Sequence, residues 1–369
     1  MEDQLDLFQF KGVPFTQKIL LNMSDGLFYI SNGSSLKIMK FNSYGDILTL
    51  FYNPEKNPIP IGLSRSMEEG EVSNKQAYPY PFRYVGEIAV TPEKELLVQD
   101  QVQEERQEYD KELDALLDNI VLRFDRKGGL VDYLGQEGIG GTPFPYIQRL
   151  QVTSSGEIVV ITRTMRSWLI FWYSRKGSLL YKINIFYDNL PQPEAKDLLA
   201  SLETIIADNA KRLLYLKLDY YRNVSDQATG SQSQVSTDFY KSGIYILNIE
   251  TEKYEKYVEI PKNYKEPDTL ELDSEKRELL YEFIGEADNS YFFLLSPDED
   301  NLYQLIILNK KGKVVERTNI QLKNTELLYR YFYLTPSGIL SALLCEDQEA
   351  EVAWWRSDKL LEKARNEDR

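Results

Sequence analysis

Histidine is missing from this chain altogether. That excludes Ser-His-Asp and Cys-His nucleophile activation, zinc sites built on imidazole, and imidazole acid–base catalysis. Cysteine is nearly missing too. The single Cys345 can form no intramolecular disulfide and no thiolate cluster for a metal. It ends an apolar run, Leu340 to Leu344, so a small buried residue is expected rather than a reactive thiol. Positive charge is scarce, with 43 Lys+Arg against 58 Asp+Glu and a net charge of −15. Phosphate neutralisation needs the opposite balance, so nucleic acid is not an expected partner, and electrostatic adhesion to anionic lipid is disfavoured. No apolar run approaches the roughly 18 residues that span a bilayer; Trp168 to Tyr173 is among the longest. The opening Met1-Glu2-Asp3-Gln4 is acidic and unlike a signal peptide, which leaves a cytoplasmic protein and a mature exported one both open.

What is abundant is β-forming and aromatic, with 26 Tyr and 16 Phe among 369 residues. The chain is also a repeat. One turn recurs as Phe41-Asn42-Ser43-Tyr44-Gly45, Phe124-Asp125-Arg126-Lys127-Gly128, Tyr173-Ser174-Arg175-Lys176-Gly177 and Leu308-Asn309-Lys310-Lys311-Gly312. A glycine-free copy starts at Leu247-Asn248 and a degraded one at Trp355. A second turn alternates with it, at Ser24-Asp25-Gly26, Thr91-Pro92, Thr153-Ser154-Ser155-Gly156, Asp208-Asn209, Asp288-Asn289 and Thr335-Pro336-Ser337-Gly338. Six of each, in strict alternation between apolar strands, predict an all-β fold: a six-bladed β-propeller of four-stranded antiparallel blades, in one domain over residues 1–369. Two small β-sandwiches, the competing arrangement, would leave the alternation unexplained. The last repeat is short of a fourth strand, and Leu5 to Phe10 alternates apolar and polar residues; residues 5–10 are therefore expected to close the ring. Residues 357–369 read as a charged C-terminal tail.

The long segments follow the second and fourth strands of the blades and so fall on one face. They include 53–83, 101–119, 135–146, 188–198, 223–241 and 261–276. Elaborated loops on a rigid scaffold are where binding concentrates. Within 101–119, Val102, Tyr109, Leu113 and Leu116 form a stripe that predicts a helix, packed on its own propeller or docking a partner. The polar stretch Asn223 to Thr237 reads as a flexible loop.

Few residues suggest chemistry. Asp298-Glu299-Asp300 lacks the spacing of a calcium loop, and Gly138-Ile139-Gly140-Gly141 lacks the context of a phosphate loop. Binding candidates are the aromatic–proline segments Tyr78, Tyr80, Phe82 and Phe144, Tyr146, expected near the mouth of the channel, and Tyr109 in the insertion. Arg163, Arg166 and Trp168 form a cluster suited to gripping an anion or stacking on a ring, or to pairing structurally with acidic neighbours. Trp354 and Trp355 read as core. Propeller glycosidases place two carboxylates about 5–10 Å apart; Asp25, Glu87 and Glu286 lie near inner strands, but at differing offsets.

Thr153 to Val160 and Thr335 to Ile339 resemble the strand turns of NHL-type propellers. Ser24 to Gly33 with Lys37 to Gly45 resembles a family of spirochaetal propeller lipoproteins, largely of unassigned function, over most of the chain. That resemblance implies a cell-envelope or periplasmic protein held by a lipid anchor; this sequence has no lipobox cysteine, so the anchor is expected on residues absent from it. The expectation is a non-enzymatic scaffold that binds another protein through one elaborated face and needs no cofactor. The alternative is a glycan- or small-ligand-binding propeller with carboxylate-based hydrolysis.

Overall fold

The computed structural model describes residues 18–65, 75–193, 198–225, 235–265, 277–297, 302–322 and 327–367. The expected closing strand 5–10 and the Asp298-Glu299-Asp300 turn lie outside them. The chain is all-β, a six-bladed propeller of mostly four-stranded antiparallel sheets. It divides into two compact units.

The first unit holds four blades. Blade one is Ile19–Ser24, Leu27–Asn32, Lys37–Phe41 and Ile47–Tyr52. Blade two is Ile88–Val90, Leu96–Gln101, Asn119–Phe124 and Leu130–Gly135. Blade three runs Ile147–Val152, Ile158–Arg163, Ser167–Tyr173 and Leu179–Phe186. Blade six has three described strands, Tyr329–Leu334, Leu340–Cys345 and Ala350–Trp355. Packing explains why these strands read as unbroken apolar runs. Tyr29, Ile38 and Phe51 pack toward blade two, while Ile30, Met39 and Leu50 pack toward blade six. A strand covered on both faces has no solvent side to alternate with. The run Trp168 to Tyr173 is buried throughout for the same reason.

The turns show why the repeat has its residue types. Asn42 Oδ1 accepts the N–H groups of Tyr44 and Asp46; Asp125, Asn248 and Asn309 do the same in their own turns. In the alternate turn Thr91, Thr153 and Thr335 use Oγ1 to accept the N–H of the residue four positions on. A short polar side chain is needed there because only it reaches the turn's orphan N–H groups. Gly45, Gly128, Gly177 and Gly312 stand at φ between +80° and +85°, the left-handed region in which a Cβ is strained.

The second unit contains blades four and five. Blade four is Leu199–Ala207, Leu213–Ser225, Val235–Asn248 and Lys253–Ile260; blade five is Glu282–Ala287, Tyr291–Pro297, Leu302–Asn309 and Val314–Gln321. They pack through Ile206, Tyr215, Ile244 and Ile246 against Phe283, Phe292, Leu294 and Ile306. At the tight-turn end the ammonium of Lys310 reaches across from blade five to Asp208 Oδ2 of blade four, at 3.2 Å, and to the Tyr215 hydroxyl at 2.5 Å. Glu286 Oε1 lies 3.2 Å from the same ammonium but out of line for a hydrogen bond, and is left without one. Burial pushes the Glu286 carboxyl up to about 7, with Lys310 pulling the other way. In the first unit Arg175, at the position equivalent to Lys310, reaches Glu93 of blade two at 2.8 Å.

Two local expectations need correction. Residues 102–117 do not form a helix. They make a single 3-10 turn, Glu104–Arg106, and a hairpin of Glu108–Asp110 against Ala115–Leu117. Asp110 Oδ1 accepts the N–H groups of Glu112 and Leu113, and Asp114 adopts φ +51°, so the side chain offers the backbone a turn in place of a helix. Of Asn223 to Thr237, expected as a flexible loop, residues 226–234 lie outside the described residues, while the flanks are not loop but continue the two central strands of blade four as far as Ser225 opposite Val235. The ribbon is stitched by Tyr221 against Phe239 and by the Arg222 guanidinium 4.3 Å from the Tyr240 ring. The charged tail 357–369 carries a helix, Asp358–Glu367, with Leu361 buried and the Ser357 hydroxyl donating to the Gly338 carbonyl.

Candidate functional site

In each blade the tight turns lie at one end, and the longer connections leave from the other. Blade two carries the hairpin insertion at 101–119, described throughout, and its root is locked by polar groups. The Val102 N–H donates to the Asp118 carbonyl at 2.8 Å and closes the neck. The Asp118 carboxylate accepts Gln101 Nε2 at 2.8 Å and Asn119 Nδ2 at 2.6 Å. Phe144 exchanges backbone hydrogen bonds with Asn119 and also accepts the N–H of Asp118. Its ring is fully buried 5.1 Å from Phe171. Gln99 Nε2 donates to Asn119 Oδ1 at 2.7 Å, and Gln99 Oε1 accepts the Glu87 N–H at 3.0 Å. Gly86 is required for that approach, since a Cβ there would stand 2.3 Å from Gln99 Oε1.

Two carboxylates in this root titrate abnormally. Burial raises Asp118. It pushes Asp100 up to about 6, even though Asp100 Oδ1 accepts the N–H groups of Arg83, Tyr84 and Gln101. Beside them the Lys18 ammonium donates to Glu87 Oε1 at 2.8 Å and to the Ile147 carbonyl at 2.9 Å, and sits 5.0 Å from the Tyr146 ring centroid. Burial works against its charge, but Glu87 with Tyr146 and Tyr84 outweighs it and holds Lys18 above the ordinary lysine range. Burial pushes Tyr84 up to about 12, with Lys18 opposing. One ammonium thus ties the first strands of blades one, two and three together. Breaking such a buried pair by removing one partner costs about 3–5 kcal/mol.

On this base stand the exposed groups. Tyr109 and Leu116 face each other across the hairpin and are 56 % and 45 % exposed, whereas Leu113 packs on the core of blades two and three and Leu117 is buried. The Tyr109 hydroxyl donates to Asp114 Oδ1, which raises its pKa. Arg166 of blade three lies close enough to act electrostatically on Tyr109, and Met165 beside it is exposed. The Arg163 N–H donates to the Tyr146 carbonyl at 2.9 Å, and its guanidinium lies 5.6 Å from the Trp168 ring.

The nine expected binding residues therefore all belong to the first unit, but they divide sharply. Tyr109, Tyr146, Arg163 and Arg166 are exposed near one another at the insertion-bearing ends of blades two and three. Phe144 and Trp168 are interior, the latter with its Nε1 buried and without a hydrogen-bond partner among the described residues. Tyr78 and Phe82 are interior between blades one and two, where Gln76–Pro79 pairs in parallel with Ile47–Tyr52. Tyr80 is half-buried, 4.8 Å from Phe82 and 5.2 Å from Phe124. Lys18, Gln99, Asp100, Asp118 and Asn119 of the root network are not among the nine expected residues, and Glu87 stands out in the sequence only as a carboxylate near an inner strand. The sequence does carry a signal: Gln99-Asp100-Gln101 and Asp118-Asn119 interrupt otherwise apolar strands at the two ends of one insertion. Cys345 is fully buried, as its run implied, and burial pushes its thiol up to about 12. Trp354 is not interior; it is 46 % exposed and covers Phe28 at 5.5 Å.

Blade by blade, this is the architecture of a six-bladed β-propeller protein. No protein-family model matches the chain, and no curated protein is similar to it. Solved structures are. The β-propeller domain of the Trilobed protease from Pyrococcus furiosus is 9 % identical, with 92 % of this chain and 95 % of that one covered and a TM-score of 0.42. An ulvan lyase of polysaccharide lyase family PL25 is 13 % identical, over 93 % and 80 %, with a TM-score of 0.43. A protein of unknown function from Bacteroides caccae is 11 % identical, over 84 % of each chain, with a TM-score of 0.35. Likenesses this distant leave function to be argued from the site.

Proposed function

We propose that this protein is a non-enzymatic scaffold that binds another protein through the insertion-bearing ends of blades two and three, without nucleic acid and without a cofactor. The observation that carries the reading is the locked root of the 101–119 hairpin. The side chains of Gln99, Gln101, Asp118 and Asn119, with the Phe144 backbone, hold in place a structure whose outward residues, Tyr109 and Leu116, contribute nothing to the core. Rigid placement of exposed aromatic groups is how binding surfaces limit the entropy lost on association. The carboxylates nearby are committed to structure: Asp100 to three backbone N–H groups and Asp118 to two side-chain amides.

The spirochaetal resemblance extends the proposal to a lipid-anchored protein of the cell envelope. Detergent-phase partitioning of the native protein supports that setting, and recovery in the aqueous phase contradicts it. The binding role is tested by affinity capture from a detergent extract of the native cells, with the intact chain and a version whose residues 103–117 are replaced by a two-residue turn. A partner held by the intact chain and lost from the trimmed one is expected. Identical recovery from both baits refutes the reading.

A further inference from the structure

The 101–119 hairpin has two faces with different chemistry. Inward, Val102 packs in the core between blades one and two, Leu113 packs on the core between blades two and three, and Leu117 is buried. Outward, Tyr109 and Leu116 form one cross-strand pair, and the exposed Met165 lies at the adjoining end of blade three. Around this pair the segment 104–114 carries Glu104, Glu105, Glu108, Asp110, Glu112 and Asp114 against only Arg106 and Lys111. One of the two cations is already engaged, because Arg106 donates to the Tyr133 hydroxyl at 2.7 Å and lies 5.4 Å from its ring. Arg166 of blade three also lies close enough to act on Tyr109, but the six carboxylates of the segment outnumber the cations around it, so the outward pair of this two-stranded sheet is uncovered and sits in a predominantly acidic rim.

We infer that the Tyr109–Leu116 face docks a basic segment of a partner protein, one that presents an apolar anchor flanked by lysine or arginine. This inference rests on the scaffold reading and names the partner's chemistry. The apolar pair supplies the contact whose burial holds the complex. The carboxylate rim draws the cationic flanks in, and opposite charge at a rim acts mainly on the rate of encounter and on the choice of partner. A lipid headgroup surface does not suit the site, since anionic lipid would be repelled by the same carboxylates.

The test uses the full chain and a short synthetic peptide with a central leucine pair flanked on both sides by lysines. An analogue with glutamates for the lysines serves as the control. Binding is read by titration, and location by hydroxyl-radical footprinting. The lysine peptide is expected to bind, to weaken with added salt, and to protect residues 104–117. Y109S/L116S is expected to weaken it about tenfold or more, the loss typical of an anchor residue, and E104Q/E105Q/E108Q to reduce its salt dependence. Both sets of positions are exposed, so a circular dichroism melt like that of the parent confirms that the variants fold. Equal binding of the glutamate analogue, protection elsewhere, or indifference to Y109S/L116S overturns the inference. A partner captured by the intact chain but not the trimmed one, with the peptide failing to map to the hairpin, would sink this inference and leave the scaffold reading standing.

Discussion

Replacing Glu286 by glutamine should make blades four and five gain stability relative to the parent as pH rises from 5 to 8, although Glu286 lies beside a lysine. The side chain of Glu286 is 2 % exposed, and its Oε1 makes no hydrogen bond. Its carboxyl rises from an ordinary 4.5 to about 7 on folding, chiefly through burial. A group that holds its proton more tightly when folded favours the fold while protonated. That contribution is complete below about 4.5 and is lost as pH rises through about 7. A shift of this size is worth about 2–3 kcal/mol between pH 5 and 8 at ~1.4 kcal/mol per pH unit. Glutamine cannot ionise, so the stability of E286Q relative to the parent should improve by that amount over the same interval. Any fixed cost of the amide cancels in the comparison. Asp208 does not interfere. Burial pushes its carboxyl up, but the Tyr215 hydroxyl, the N–H groups of Ala210 and Lys211, and Lys310 hold it below the ordinary range. Its contribution is therefore lost only in more acidic solution. The assay is native-state amide exchange along Leu213–Ser225, at pH 5 and 8 after correction for intrinsic rates. Trp168, Trp172, Trp354 and Trp355 all lie in the first unit, so tryptophan fluorescence provides an internal control that should not respond. A parent-to-variant difference that is flat from pH 5 to 8, or that moves against E286Q as pH rises, refutes the reasoning.

Phe144→Ala should cost about 3–5 kcal/mol and should speed amide exchange at residues 101–119, because the ring anchors the backbone to which Asp118 and Asn119 bond; an unchanged urea midpoint by tryptophan fluorescence contradicts this. Gly86→Ala should cost about 1–3 kcal/mol by forcing Gln99 off Asn119, with loss of stability in the same assay, and a neutral result would show that Gln99 can retreat. Cys345 should resist thiol reagents at pH 8 in the native chain and react fully once it is denatured, since burial both covers the thiol and pushes it up to about 12; rapid native labelling contradicts its placement.

Much of the fold is legible because its code is local. A polar residue that takes its own turn's N–H groups and a glycine that supplies positive φ sit within five positions of each other, so Asn42 with Gly45 and Asn309 with Gly312 declare their turns without reference to the rest of the chain. The site is less legible because its determinants are distant. Lys18 meets Glu87 and the Ile147 carbonyl, and Asn119 meets Gln99, through contacts that only the assembled blades create. Burial of the aromatic–proline residues follows the same rule. Tyr78 and Phe82 look like a loop's exposed decoration until a parallel pairing on the edge of blade one places them against Phe51 and Phe124. The 102–117 segment misleads differently. Its apolar spacing suits a helix, but Asp110 and Asp114 favour turns strongly enough to fold it as a hairpin, which turns Leu113 inward and Leu116 outward.

The central claim, that the insertion-bearing ends are the binding surface, is tested most directly by site-specific photocrosslinking in the native cells. The crosslinking residue is placed in turn at Tyr109, Tyr146 and Met165, and at Tyr44 and Lys176 in the tight turns at the other ends of blades one and three. The account predicts one recurring protein adduct from the first three positions and none from the last two. Adducts of equal yield from both sets, or none from Tyr109 and Tyr146, would contradict it.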